Sequence, residues 1–157
     1  MSDATALEYM RNHPFFDNLS SEYVEFLAQC ASEIDVAQGD GIFSQGDRAD
    51  RFYIVREGNV AVEVPALYGP TLEIQNLGPD QLLGWSWLIP PYEWDFQARA
   101  TRDCRLLQFD GKKVLSRCES DTAFGYQIFK RFTVLMSERL TSARRKMMEQ
   151  WVPPGFA

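Results

Sequence analysis

Apolar and polar residues alternate from residue 33 to residue 110, and glycines interrupt the alternation at short intervals. Seven of the ten glycines lie between Gly39 and Gly84. A period of two is typical of β-strands with one buried face, and glycine supplies the turns between them. The pattern predicts eight short strands, around Ile34–Val36 and Ile42 and at residues 52–57, 60–64, 71–77, 81–84, 96–101 and 105–109. Strands at this spacing predict an antiparallel sandwich or roll.

The dipeptide Gly58-Asn59 separates two of these strands by only two residues. Such a short connection with glycine favours a tight β-turn between antiparallel neighbours. We therefore expect the strands at residues 52–57 and 60–64 to form a hairpin.

Helical patterns flank the strands on both sides. The N-terminal pattern, residues 4–31, predicts a short helix that ends at His13-Pro14 and a second helix capped by Ser20 or Ser21. The C-terminal pattern, residues 112–150, predicts a short helix and then a long one over residues 122–150. The expected fold is a single domain over residues 1–157, mainly β, with a jelly-roll type β-roll at residues 33–110 and flanking helices.

The long helix carries apolar residues at intervals of three or four, namely Phe129, Phe132, Met136, Leu140, Ala143 and Met147. A second stripe, formed by Phe124, Ile128 and Leu135, covers only its first half. At ~1.5 Å per residue the helix is ~44 Å long, longer than a small domain is wide. Either both stripes pack on the chain's own sheet, or the helix pairs with a second copy. We expect a homodimer, with Phe129, Phe132, Met136 and Leu140 in its interface.

Several kinds of chemistry are disfavoured by the composition. His13 is the only histidine, and the three cysteines are not at CxxC spacing, so we expect no metal, no cofactor and no catalytic triad. Unpaired cysteines favour a reducing cytoplasm. The net charge of −6 disfavours nucleic acid as a partner, and no apolar run is long enough for a membrane span. A non-enzymatic protein is expected.

The segment from Gly39 to Val60, with its glycines and the run Arg51-Phe52-Tyr53-Ile54-Val55-Arg56-Glu57-Gly58, resembles the front half of the cyclic nucleotide-binding domain. His13-Pro14-Phe15-Phe16 and Leu19 are similar to that family's N-terminal segment. The resemblance covers residues 13–145. It implies a β-roll flanked by helices and a regulatory or sensor role. In the family's transcription factors a helix-turn-helix follows, and the seven residues after Gln150 are too few for one.

The residues that bind the cyclic nucleotide in this family are replaced here. The family's phosphate-binding cassette begins with Gly-Glu and ends with Arg-Ser/Thr-Ala; the Glu binds the ribose and the Arg binds the phosphate. Gly84 matches, but Trp85 stands at the Glu position. If Phe96 and Ala98 face the roll interior, the Arg position falls on Trp94; a register slip by one places Asp95 there. Neither register supplies a cation.

The resemblance and the aromatic residues together define a candidate ligand site. Its predicted members are Gly84, Trp85, Ser86, Trp87, Trp94, Asp95, Phe96 and Arg139. The tryptophans either line an apolar pocket or fill the volume that a nucleotide would occupy. Arg139, on the helix that crosses the family's pocket, either reaches an anion in the pocket or is a solvated or glutamate-paired side chain.

The leading hypothesis is a regulatory sensor module without a DNA-binding domain, whose ligand is not a standard cyclic nucleotide. One alternative is a protein-interaction module with a pocket plugged by tryptophans. Another is a cyclic AMP- or cyclic GMP-binding regulatory protein that uses backbone contacts and Arg139. Backbone N–H groups near Ser86 and Trp87, at the start of an expected helical turn, favour that last alternative.

Overall fold

The period-two segments form the strands of a β-roll, as predicted. The computed structural model describes residues 3–65 and 68–150. Within them lie eight strands: β1 (Ala31–Val36), β2 (Gly41–Phe43), β3 (Arg51–Glu57), β4 (Val60–Val64), β5 (Leu72–Leu77), β6 (Leu82–Leu83), β7 (Gln97–Ala100) and β8 (Cys104–Asp110). The α-helices of the same residues are α1 (Asp3–Arg11), α2 (Ser21–Gln29), α3 (Gly111–Ser120) and α4 (Thr122–Gln150).

The strands form two four-stranded antiparallel sheets, ordered β1-β8-β3-β6 and β2-β7-β4-β5. In the first sheet, the central strand β3 is buried on both faces. In β3, Tyr53 and Val55 belong to the apolar cluster between the sheets, whereas Phe52 and Ile54 belong to a second cluster shared with the helices. This double burial explains why β3 is apolar at four successive positions and does not alternate.

The predicted hairpin at Gly58-Asn59 is wrong. β3 pairs with β8 and β6, while β4 pairs with β5 and β7, so the two strands belong to different sheets. Gly58 has a φ of 92°, and a Cβ there would lie 2.5 Å from the carbonyl oxygen of Asp103. The glycine therefore serves a sharp corner between sheets, which two-residue turn chemistry alone does not distinguish from a hairpin.

The helix α4 begins against the rest of the domain and ends away from it. The carboxylate of Asp121 caps its first turn by accepting a hydrogen bond from the backbone N–H of Phe124 (3.1 Å). Phe124, Ile128 and Phe132 are no more than 1% exposed in the helix-side cluster. In the second half, Leu140 is 57% and Met147 69% exposed. No helix in the described part of the chain is long and apolar enough to cross a membrane.

One residue of the predicted dimer stripe needs correction. Phe132 is fully buried in the chain's own core, with ring centroids 5.2 Å from Phe15, 5.3 Å from Phe52 and 5.2 Å from Trp87. It is therefore not part of the exposed face. Phe129, one turn earlier, is 43% exposed. A spacing of three residues leaves the two side chains about 60° apart around the helix axis, so Phe132 faces the core while Phe129 lies at the edge of the buried face.

Candidate functional site

The loop between β6 and β7 begins with Gly84, a position that does not accommodate a residue with a side chain. Gly84 has a φ of +97°, and a Cβ on it would lie 2.7 Å from Cη2 of Trp94. The left-handed conformation and the close approach both require glycine. Gly84 thereby allows the Trp94 ring to lie directly against the backbone. A single-turn 3₁₀ helix, Ser86–Leu88, follows.

A cavity of about 520 Å³ lies between this loop, the second sheet and the helix α4. Its volume is in the range of small-molecule sites. Apolar side chains from all three elements form most of its wall. The lining residues are Phe43, Val62, Ile74, Gln75, Leu83, Gly84, Trp85, Ser86, Trp94, Phe96, Thr133, Met136, Ser137, Arg139, Leu140 and Ala143.

Two tryptophans line this cavity and leave its volume open. The Trp94 ring stacks on Phe43, with centroids 3.7 Å apart and planes 7° from parallel, and only 5% of Trp94 is exposed. Trp85 is half-buried at the start of the 3₁₀ turn. The strand parity deduced from the sequence is correct, since Ala98 is buried and Trp94 faces inward. A flat aromatic wall thus stands at the two positions to which the sequence resemblance assigns the family's glutamate and arginine.

Arg139 reaches from α4 to the wall of the roll. Its Nη2 donates a hydrogen bond to the carbonyl oxygen of Leu82 (2.5 Å), and its Nη1 donates one to Oε1 of Gln75 (3.3 Å). Burial lowers the pKa of Arg139 to about 10. Within the described residues it forms no salt bridge with a carboxylate. It is therefore a half-buried cation at the cavity whose two hydrogen-bond acceptors are neutral, which differs from the fully solvated or glutamate-paired side chain that the sequence left open.

The arginine nearest in sequence to the cassette is used elsewhere. Arg99 points outward from β7, as the parity predicts, and its Nε and Nη2 each lie 3.2 Å from an oxygen of the buried Glu63. This paired geometry satisfies both partners and raises the pKa of Arg99. Arg99 is absent from the cavity lining and does not replace the missing cassette arginine.

Two predicted site residues lie outside the cavity. Trp87 is 1% exposed and packs in the helix-side core, where its Nε1 donates a hydrogen bond to the Gly84 carbonyl (3.3 Å) and its ring stacks on Phe52. The 3₁₀ turn rotates it away from Trp85. Asp95 is exposed, because alternation along the chain turns it to the side opposite Trp94. The other six predicted members, Gly84, Trp85, Ser86, Trp94, Phe96 and Arg139, surround the cavity.

Several lining residues were not predicted. Phe43 of β2 and Val62 of β4 come from strands distant in sequence from the cassette, and Thr133 comes from α4. The inward direction of Val62 was available from strand parity, whereas parity through Ile42 would have turned Phe43 outward. That these faces meet at one cavity depends on the sheet order, which local patterns do not determine.

The titratable residues around the fold show no arrangement for metal binding. Among the described residues, no three His, Cys, Asp or Glu side chains lie close enough to hold an ion. The cysteines Cys30 and Cys118 are buried, and burial raises the pKa of their thiols to about 11 and about 12. His13 fixes the N-terminal segment: Nδ1 accepts the N–H of Phe15, and Nε2 donates to the carbonyl oxygen of Asp80 (2.6 Å).

Comparison with known proteins identifies the class of this β-roll. The sequence profile of the cyclic nucleotide-binding domain matches residues 33–121, more than half of the chain. The chain belongs to the cyclic nucleotide-binding domain family, and its sheets and long C-terminal helix are those of this family's sensor and regulatory domains.

Three relatives show the extent of the similarity. The cyclic AMP receptor protein of Thermus thermophilus is 32% identical over 98 residues, which cover 62% of this chain and 45% of that protein. A putative cyclic nucleotide-binding protein from Geobacter metallireducens has a TM-score of 0.77 and 26% identity, over 85% of this chain and 96% of that one. A cyclic nucleotide-binding domain from Methylobacillus flagellatus has a TM-score of 0.80 at 15% identity, over 98% of this chain and 88% of that one.

Proposed function

We propose that this domain is a non-enzymatic sensor of a small molecule other than a standard cyclic nucleotide, and that it acts in the cytoplasm. The observation that carries the proposal is the apolar cavity of about 520 Å³ with Trp85 and Trp94 in its wall. The tryptophans stand where the family resemblance places the ribose-binding and phosphate-binding side chains. The ligand therefore binds at the family's site but with different chemistry.

A cyclic nucleotide fits this wall poorly. Its phosphate carries a full charge that loses hydration on entering an apolar site, and no cassette cation compensates for that loss. Its ribose hydroxyl also lacks the family's carboxylate partner. The loss of one charged hydrogen bond costs about 1.5–3 kcal/mol, so the loss of two weakens binding by a few hundredfold or more.

Arg139 favours a second candidate function, a true receptor for cyclic AMP or cyclic GMP. It is a cation in the cavity wall, and the Thermus relative is a cyclic AMP receptor protein. The short turn Ser86–Leu88 adds little, because three residues build only a small helix dipole. The plugged interaction module receives less support, since it requires the tryptophans to fill the cavity.

Calorimetry with both cyclic nucleotides separates the first two functions. We expect no binding of cyclic AMP or cyclic GMP up to millimolar concentration, with the Thermus cyclic AMP receptor protein measured alongside as the positive control. A dissociation constant in the low micromolar range for either nucleotide would establish the second function in place of the first.

Native mass spectrometry of the purified protein tests for a ligand of any kind. We expect a retained small-molecule mass that disappears on denaturation. The Ala143→Phe variant should lose it, because Ala143 lies on exposed helix surface that lines the cavity. The matched control is Ser142→Phe, at an exposed position outside the lining. A mass retained equally by both variants would place the ligand outside this cavity.

We further propose that the domain forms a two-fold symmetric homodimer through α4. The support is an apolar stripe on that helix, defined by Phe129, Met136, Leu140 and Met147, of which Phe129, Leu140 and Met147 are 43–69% exposed. An exposed apolar patch of this kind marks an interaction surface, and two-fold pairs are the commonest closed assemblies.

Sedimentation measures the assembly directly. Leu140→Asp should convert the dimer to a monomer at tens of micromolar protein while the fold is kept. Ser142→Asp places the same charge on the other side of the helix and should leave the dimer intact. A wild-type monomer at that concentration contradicts the proposal.

A further inference from the structure

One charged side chain stands in the otherwise uncharged cavity wall. Among the described lining residues, Arg139 alone is charged; the others are apolar or are neutral polar residues such as Gln75, Ser86 and Thr133. The Thr133 hydroxyl is already bonded to the carbonyl oxygen of Phe129 (2.7 Å). The cavity therefore has one strong recognition group and a large apolar surface.

The hydrogen-bonding capacity of Arg139 is only partly used. A guanidinium has five N–H donors, and two of its nitrogens bond to Leu82 and Gln75. Both acceptors are neutral. A half-buried cation with only neutral acceptors has no opposite charge beside it, so an anion delivered by a ligand would gain an ion pair that the protein alone does not supply.

The charge and shape of the site restrict that anion. One cation balances one negative charge, so a phosphate monoester, with nearly two, would leave charge uncompensated in an apolar site. A planar carboxylate matches the fork of the guanidinium. The remainder of the ligand faces Phe43, Trp85, Trp94 and Phe96, whose rings favour flat apolar groups.

We propose that the ligand of this cavity is a largely apolar monocarboxylate whose carboxylate is bound by Arg139. The inference rests on the proposed function, that the cavity takes a small molecule. It goes further by assigning the chemical class of that molecule and the residue that selects it.

Two probes with the same naphthyl body and similar size test the assignment. The probes are 2-naphthylacetate and the neutral 2-(2-naphthyl)ethanol, which share the apolar body and differ in the carboxylate. Calorimetry follows their binding, because the naphthyl group absorbs and emits in the same range as tryptophan and would mask a change in tryptophan fluorescence. For the wild-type protein we expect the acid to bind at least tenfold more tightly than the alcohol, since charge-assisted hydrogen bonds are the stronger ones.

Variants of two arginines on the same helix assign the effect. Arg139→Gln should weaken the binding of the acid about tenfold or more and change the affinity for the alcohol by no more than about twofold. The unchanged affinity for the alcohol would also show that the cavity has kept its shape. Arg144→Gln, at an exposed position of α4 outside the lining, removes the same charge. It should change the affinity for neither the acid nor the alcohol.

The outcomes separate this inference from the proposed function. If the alcohol binds and the acid binds no better, or if Arg139→Gln leaves the preference for the acid intact, the assignment to Arg139 is wrong while the cavity remains a binding site. If neither probe binds at millimolar concentration, and native mass spectrometry shows no retained mass, the proposed function fails as well.

Discussion

The two halves of α4 have different environments although they belong to one unbroken helix. In the first half, Phe124, Ile128 and Phe132 are at most 1% exposed and pack in the helix-side core. In the second half, Leu140 and Met147 are 57% and 69% exposed. Apolar residues recur at helical spacing in both halves, so the periodicity alone does not distinguish a core helix from one that offers a surface to a partner.

The transition between the halves coincides with the cavity. Thr133, Met136, Arg139 and Leu140 line it from the helix side, and Leu135, which lies among them in sequence, is the last described residue of α4 that packs against the helix-side core. The first half is thus a structural element of the fold, and the residues from Thr133 to Ala143 form one wall of the candidate site. Substitutions in the first half should affect stability, and those in the second half should affect binding and assembly.

The largest expected difference follows from truncating one side chain in each half. Phe132→Ala should reduce the free energy of unfolding by about 3–5 kcal/mol, the typical cost of truncating a fully buried phenylalanine. Met148→Ala, at a side chain 65% exposed, should change it by about 0.5 kcal/mol or less. Urea unfolding at one fixed protein concentration measures both. Equal costs would mean that the second half is also part of the core.

A smaller effect is expected from adding one methyl group. Alanine normally stabilises a helix relative to glycine by roughly 0.5–1 kcal/mol. At Gly125, however, a Cβ would lie 2.5 Å from the carbonyl oxygen of Cys118 in α3. Backbone cannot move aside as a side chain does, so we expect Gly125→Ala to destabilise the domain by about 1–3 kcal/mol.

The exposed half provides the control for that substitution. Ser142→Ala also improves helix propensity, at an exposed site, and should be neutral or slightly stabilising. Thermal unfolding of the two variants gives the comparison. A stabilising Gly125→Ala would show that α3 and α4 are free to separate, and the distinction between the halves would be weakened.

Most of the fold was predictable because local periodicity determines it. The predicted strand at residues 60–64 matches β4, and the predicted long helix matches α4. The hairpin at Gly58 was wrong because sheet membership depends on distant partners: β3 pairs with β8, which lies beyond four intervening strands in the chain. Local turn chemistry contains no information about that pairing.

The candidate site was predictable only in part. The alternation of side chains along the strand correctly predicted that Trp94 faces inward, because this alternation is a local property of the sequence. The exclusion of Trp87 depends on a single 3₁₀ turn, and the position of Arg139 depends on where α4 crosses the roll. Similarly, Phe132 and Phe129 looked equivalent as members of one stripe, and they are separated by the packing of Phe132 against Phe15, Phe52 and Trp87.

The smallest expected effect concerns the charge of Asp121, which caps the buried first half of α4. The pKa of Asp121 lies below its ordinary value, chiefly because the backbone N–H of Phe124 bonds to its carboxylate; the Tyr23 hydroxyl and Arg117 also favour the charged form. A pKa lowered by folding stabilises the native state above the unfolded pKa of about 4, and this contribution is lost as the pH falls through the folded pKa.

Asp121→Asn keeps a capping oxygen and removes the charge, so its melting temperature should be slightly below wild type at pH 7 and should converge with it in acid. Glu149→Gln removes a charge from the exposed half and should cause no loss at pH 7. A difference for Asp121→Asn that persists unchanged to pH 3 would mean that the cap acts through its shape and not through its charge.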